Sequence, residues 1–244
     1  MVKILNHRFI WSFAKFDGVS FIKESPWSII SNIITPICLL AIISLVSGGK
    51  LIAFAIVGGV IAIISATTLS STGQSAMFRL EHRIQDLLIA TNVSVLDYIL
   101  GFVVGNLIFA SPGIALFTIF SIFFHLFTWW RFAITLAVVF LLAIATTSIA
   151  VLVGSRIKRT IGMWSISGIL AALFTLLPPT FYPYTVLPKF ALYVLAISPV
   201  TPAATILQGA YGLEPVNIFM PLLLVVEVIV YVLIAITFIR WRER

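Results

Sequence analysis

Charge is what this sequence has least of. Asp, Glu, Lys and Arg make up 9% of its 244 residues, against about 25% in soluble domains, while 61% are hydrophobic. That excludes an ordinary water-soluble domain. The apolar runs have helical length, so the chain reads as an all-α, multi-pass membrane protein. Cysteine is nearly absent: the single Cys38 lies inside an apolar run, which rules out an intrachain disulfide. There is no Gly-x-x-x-x-Gly-Lys-Ser/Thr loop, because Gly49-Lys50 is followed by Leu51 and Ser44 stands where the first glycine belongs; no ATP-binding signature is present. The three histidines, His7, His82 and His125, are scattered, so no metal site is expected. Paired intramembrane carboxylates are missing, and no catalytic residue is assigned. No small-residue cleavage site precedes the first apolar run at Trp27, so no cleavable signal peptide is expected.

What charge there is has a pattern. The net charge of +7 does not indicate nucleic acid, because the charges lie in short loops and ends. Six spans are expected at about 27–46, 51–71, 96–127, 132–153, 161–177 and 218–239, with both termini cytoplasmic. In that arrangement twelve of the fifteen Lys/Arg fall on inner segments, and Lys50, Arg131 and Lys189 fall outside, as the positive-inside rule requires. Letting the piece around 188–207 cross as well would put Arg240, Arg242 and Arg244 outside, against that bias.

Residues 1–26 form a separate amphipathic interface helix ahead of the six-span domain, 27–244. Val2, Leu5, Phe9, Phe13 and Phe16 share one helical face, with Lys3, His7, Arg8 and Lys15 roughly opposite. The third span is too long for one straight crossing, about 48 Å at 1.5 Å per residue, and Pro112-Gly113 is expected to kink it or strong tilt to absorb the excess. Thr128-Trp-Trp-Arg131 reads as an outer aromatic turn. Between spans five and six, residues 178–202 carry Pro178, Pro179, Pro183, Pro188, Pro199 and Pro202. The apolar piece 190–197 gives only about 12 Å of helix, so it must enter and return as an outer re-entrant element.

Residues 77–90, MFRLEHRIQDLLIA, interrupt the apolar runs. On one helical wheel Met77, Leu80, Ile84, Leu87 and Leu88 share a face, with Arg79, His82, Arg83 and Asp86 opposite; Glu81 borders the apolar face and Phe78 lies on the flank. This is a cytoplasmic amphipathic helix between spans two and three. Asn92-Val93-Ser94 matches a glycosylation sequon, discounted because this segment is cytoplasmic. Ser94 and Asp97 read as the N-cap and first turn of span three. Glu227, in the middle of PLLLVVEVIVYVL, is costly in lipid. It is either a polar pair between helices or a group on a substrate path. Asp97 and Glu227 are the only acids placed in or at the edge of a span. Gly101-x-x-x-Gly105 and Gly58-Gly59 are small-residue steps that permit close helix packing.

Two stretches resemble a known family. The run FRLEHRIQDLLIATNVSVLDYILG, 78–101, is similar to the segment after the second span in permease subunits of ABC-2-type transporters. Arg79, Glu81, Leu87, Leu88, Ala90, Thr91, Val93, Ser94 and Gly101 match, and Asp86 replaces a usual Glu. Departures are Arg83-Ile84 for Gly-Thr, Asn92 for Pro, and Phe102 for Lys. Phe181-Tyr182-Pro183, Leu187-Pro188 and Ser198-Pro199 resemble the family's outer re-entrant element. The resemblance implies a permease subunit paired with a second permease and with two copies of a separate ABC ATPase, which would carry the ATP and Mg; this chain itself would bind no cofactor. It implies that Phe78, Arg79, Glu81, Arg83, Asp86 and Leu87 couple to the ATPase, with Phe78 as an aromatic anchor in a groove of the partner. Phe181, Tyr182, Pro183, Leu187, Pro188 and Pro199 would form the outer gate. The expected function is export of a hydrophobic or amphipathic substrate, such as a drug or lipid, across a prokaryotic plasma membrane, with membrane lipid as a partner and no nucleic acid. Alternatives are a secondary transporter or channel without an ATPase, with Glu227 in its path, and a non-transport membrane factor.

Overall fold

The computed structural model describes residues 5–24, 26–91 and 93–239. Of the residues singled out above, Val2, Lys3, Asn92, Arg240, Arg242 and Arg244 lie outside them, as does the side chain of Asp86. The described residues contain helices and no strand. Helix α1 (His7–Ala14) continues through a π-helical turn, Lys15–Val19, into α2 (Ser20–Glu24). Then come α3 (Pro26–Val46), α4 (Ile52–Leu80), the short α5 (Ile84–Ala90), α6 (Val95–Phe123) and α7 (Trp129–Gly154). The chain ends in α8 (Met163–Leu176), α9 (Lys189–Leu195), α10 (Val200–Ala210) and α11 (Phe219–Phe238).

Five helices, α3, α4, α6, α7 and α11, are long and apolar enough to cross a membrane. The fifth expected span is different. Helix α8 starts after Gly162, whose φ of 94° is left-handed, and stops before Pro178-Pro179. Its length is about 21 Å at 1.5 Å per residue, short of a core of roughly 30 Å. Its contacts with α4 nevertheless define a full antiparallel run. Trp164 lies against Gly73, Ser167 Oγ donates to Leu69 O at 3.2 Å, Ser65 and Thr175 share a hydroxyl bond of 3.0 Å, and Thr180 sits on Gly58. The expected fifth span is thus a short helix with a non-helical tail, held along α4.

Helix α4 is the axis of the bundle. Burial covers 83% of its most apolar stretch, against 6% for α3. It runs on to Leu80 rather than ending near 71. Residues 72–75 are polar by composition, yet Thr72, Gly73 and Ser75 are buried. Their hydroxyl-bearing neighbours find partners within the bundle. Thr67 and Thr68 donate to the carbonyls of Ile63 and Ile64 at 2.7 Å, Thr68 meets Thr146 of α7 at 2.7 Å, and Asn106 Nδ2 of α6 donates to Ser71 at 2.8 Å. Back-bonding to the helix's own carbonyls removes the cost of a bare hydroxyl in lipid. Other span bounds shift slightly: α6 ends at Phe123, and α7 begins at Trp129, where Thr128 caps it.

The connections alternate between two ends. One end gathers α1, α5, the α7–α8 loop and the finish of α11, where Arg156 donates to Phe238 O at 2.9 Å; it carries Arg79, Arg83, Lys158 and Arg159. The other end gathers Lys50, Arg131 and Lys189. The first is called the basic end below.

Close approach along α4 requires glycine. A Cβ on Gly58 would stand 2.1 Å from the Thr180 carbonyl oxygen, and one on Gly59 would stand 1.9 Å from the Phe117 ring, whereas Gly168 faces open space. Gly58→Val is expected to cost about 3 kcal/mol or more, since overpacking here pushes on backbone. Gly168→Ala should leave stability unchanged or slightly higher. Thermal unfolding in detergent checks both.

Candidate functional site

The stretch 77–90 is not one helix. Met77–Leu80 is the last turn of α4, and α5 starts only at Ile84. The break is at Arg83, whose φ of 49° is left-handed. Such a conformation costs an L-residue roughly 1–2 kcal/mol relative to glycine.

The break changes which side chains face out. Phe78 is 4% exposed, which corrects the expectation of an outward anchor. Its ring stacks on Phe102 at 5.9 Å and meets Phe13 edge-on at 6.0 Å, with Tyr98 packed on both partners. Arg79 also turns inward from its expected outer face. Its guanidinium donates to Ile157 O and, at 3.5 Å, to Gly154 O, tying α4 to the α7–α8 loop. Leu87 is corrected the other way, from the buried face to 68% exposed, while Leu88 is buried. Glu81 and Arg83 are exposed as expected. Asp97 is a structural cap that does more than foreseen. Its Oδ2 accepts from Ser94 N at 3.0 Å and Ser94 Oγ at 2.7 Å, and its Oδ1 accepts from Asn6 N at 2.9 Å.

At the opposite end, α9 and α10 form a pair bent by 120°. Thr201 Oγ1 donates to Leu195 O at 2.6 Å across the bend. Gln208, which sequence reading passed over, locks the base. Its Nε2 donates to Pro179 O at 2.7 Å and Tyr182 O at 3.0 Å, and its Oε1 accepts from Tyr184 N at 3.1 Å. Phe181 and Pro199 are buried, Tyr182, Pro183 and Leu187 half-buried, and Pro188 exposed. Of the six residues expected to form the gate, the Gln208 bonds bring Tyr182 to the base, while Phe181 lies against Gly58. Glu227 is 7% exposed and faces a cavity of about 350 Å³ between α9 and α11, beside Tyr193 and Tyr231. Its Oε2 has no partner among the described residues, so no polar pair between helices accounts for it.

The largest acid surprise is Asp17, at 4% exposure. The N-terminal segment does not part from the bundle. It climbs α6, with Asn6 at Asp97, Phe13 over Gly101 and Gly18 against Gly105. A Cβ on Gly105 would meet Asp17 Oδ2 at 2.8 Å, so the glycine admits the carboxyl. The π-helical turn carries Asp17 into a cavity of about 550 Å³ between this segment, α3, α4, α6 and α8. Asn32, Thr67, Ser70, Gln74 and Asn106 line it, along with Phe109 and Trp164. Asn32 donates to Thr67 at 2.8 Å. Asp17 Oδ1 and Gln74 Oε1 are buried without partners. The only sequence signal was spacing: Asp17 follows Phe13 by four residues and so shares its face.

Burial pushes the Asp17 carboxyl up, to about 7. Between 3.8 and about 7 the folded chain holds a proton that the unfolded chain has released, so stability should fall as pH rises through that window and flatten above it. Asp17→Asn is expected to remove the slope, as read from unfolding midpoints against pH. Phe78→Ala should cost about 3–5 kcal/mol as a buried aromatic truncation, visible as a lowered midpoint even with no partner protein present.

No match to this chain is found among curated proteins. A model of the family described as ABC-2 type transporter matches residues 10–211, from the interface segment that seats Asp17 to the end of the α9–α10 pair. Together with the helical bundle, five of whose helices are long and apolar enough to cross a membrane, this establishes that the chain belongs to the ABC-2 type transporter family and is an ABC transporter permease.

Proposed function

We propose that this chain is the membrane subunit of an ATP-driven exporter, that it works with a second permease subunit and two copies of an ABC ATPase, and that the basic end faces the cytoplasm of a prokaryotic cell. The observation that carries the reading is the form of α5. It is a short helix set off from α4 by the left-handed Arg83 and followed by α6, whose start the Ser94–Asp97 capping box fixes. It presents Leu87 outward with Glu81 and Arg83 beside it. Leu87 is 68% exposed, apolar area that a docked partner would remove from water. Motion of such a partner would pass through α4 and α6, which Phe78 and Phe102 join.

On this reading Phe78 and Arg79 transmit, and Leu87, Glu81 and Arg83 dock, with Asp86 on the same short helix. The α9–α10 pair, closed at its base by Gln208, is the outer gate. The cavity behind Asp17 has largely apolar walls with a few polar groups, which fits a hydrophobic or amphipathic substrate. The chain would leave ATP and Mg to its partner. Twelve basic residues on the inner segments support the orientation.

The experiment is co-purification with the cognate ATPase, followed by its ATP turnover in the complex. Leu87→Asp and Arg83→Glu are each expected to lower ATPase capture about tenfold while the permease stays folded. Arg83→Gly should lower capture less than Arg83→Glu and raise the unfolding midpoint, through about 1 kcal/mol of relieved backbone strain. Unchanged capture and turnover in both charge variants would overturn the assignment of α5.

A further inference from the structure

The cavity behind Asp17 carries a charge requirement. Ligand sites are usually about 300–1,000 Å³, mostly apolar, with a few polar groups that set orientation; this one measures about 550 Å³. Its one ionisable group among the described residues is Asp17, and no Lys, Arg or His lines it. The two polar atoms buried there without partners, Asp17 Oδ1 and Gln74 Oε1, are both acceptors. A carboxylate buried and unpaired is costly by several kcal/mol, and a positive guest is what removes that cost. A metal ion does not fit, because no group of three His, Cys, Asp or Glu side chains comes together among the described residues. An anion would face the Asp17 carboxylate with no Lys, Arg or His in the lining to offset it. What remains is a cation whose bulk is apolar, with Trp164 and Phe109 offering rings to body and charge alike.

Asp17 also lines a second cavity of about 330 Å³, which opens toward the basic end beside Ser20, His82 and Ile84. Asp17 therefore borders both cavities. The π-helical turn that carries it is a device found mostly at functional sites, and Gly18 against Gly105 lets the backbone come close enough to seat it.

We propose that this cavity binds a lipophilic cation, a molecule with an apolar body and one positive charge, and that Asp17 selects for the charge. This rests on the exporter reading and narrows its substrate class. The test is binding to the full chain in lipid nanodiscs at mildly alkaline pH, without ATPase, after subtraction of empty nanodiscs. The probes are tetraphenylphosphonium, tetraphenylborate and triphenylphosphine oxide: a cation, an anion and a neutral relative. Tetraphenylphosphonium is expected to bind saturably and about tenfold or more tighter than the other two. Asp17→Asn should lose about that factor for the cation and keep its affinity for the neutral oxide; Asp17→Glu should retain cation binding.

The proposal is overturned if the wild-type chain ranks the cation no higher than the neutral oxide. It is equally overturned if Asp17→Asn still binds the oxide and keeps full cation affinity. If Asp17→Asn loses the oxide too, the fold has gone with the charge, and the wild-type ranking of the three probes decides. Because no ATPase takes part, failure of docking at α5 leaves this result standing. Loss of cation selectivity likewise leaves ATPase capture untouched.

Discussion

Lipid offers no hydrogen bonds, so each polar group on the central helix has to find its partner inside the bundle. The rest of the structure depends on how α4 meets that constraint. Ser65, Thr67, Thr68, Ser70, Ser71 and Ser75 bond to the helix's own carbonyls or to Asn32, Thr146, Thr175 and Asn106 on neighbouring helices, while Thr72 Oγ1 is buried without a partner among the described residues. Its glycines then let Thr180 and Phe117 approach to backbone contact. A helix satisfied in this way can be surrounded on several sides, and α3, α6, α7 and α8 take positions around it. At Gln74 and Asp17, where buried acceptors are left without partners, the bundle opens into a chamber of about 550 Å³ lined in part by polar side chains. The site is the place where the rule that builds the fold is left incomplete.

The same helix links the two ends. Its last turn delivers Phe78 into the aromatic knot with Phe13 and Phe102, and Arg79 onto the α7–α8 loop. Its first turns hold Thr180 and Phe181 at the foot of the α9–α10 pair. On the proposed reading, a push received at α5 would have a packed route through α4 to the wall of the Asp17 chamber and to the Gln208 lock. Cores of this density respond by switching between packed arrangements more readily than by continuous bending.

The all-helical membrane class, the cap at Ser94 and Asp97 and the short bent piece after Pro188 were legible in the sequence, because each follows from length, composition or local hydrogen-bond chemistry. The end of α4 was not: Thr72, Gly73 and Ser75 look polar, and only neighbouring helices make them interior. The stretch 77–90 failed for another reason. A helical wheel assumes unbroken phase, and Arg83 breaks it with a left-handed residue that composition does not signal. Phe78 and Leu87 accordingly exchanged their expected faces. Asp17 was hidden because the N-terminal segment reads as a surface helix. Its contact with Gly101 and Gly105 is tertiary, although both glycines had been marked as packing points. Gln208 carried no local signal, since its three partners come from the segment 179–184.

The central claim is that α5, through its outward leucine, is where the ATPase is received, while Phe78 belongs to the interior. The lone cysteine permits a direct test, since Cys38 can be removed from the background. Leu87→Cys in a Cys38→Ala chain should form a cross-link to the ATPase in the assembled complex, and Phe78→Cys in the same background should not. Cross-linking from position 78 with none from position 87 would contradict the account.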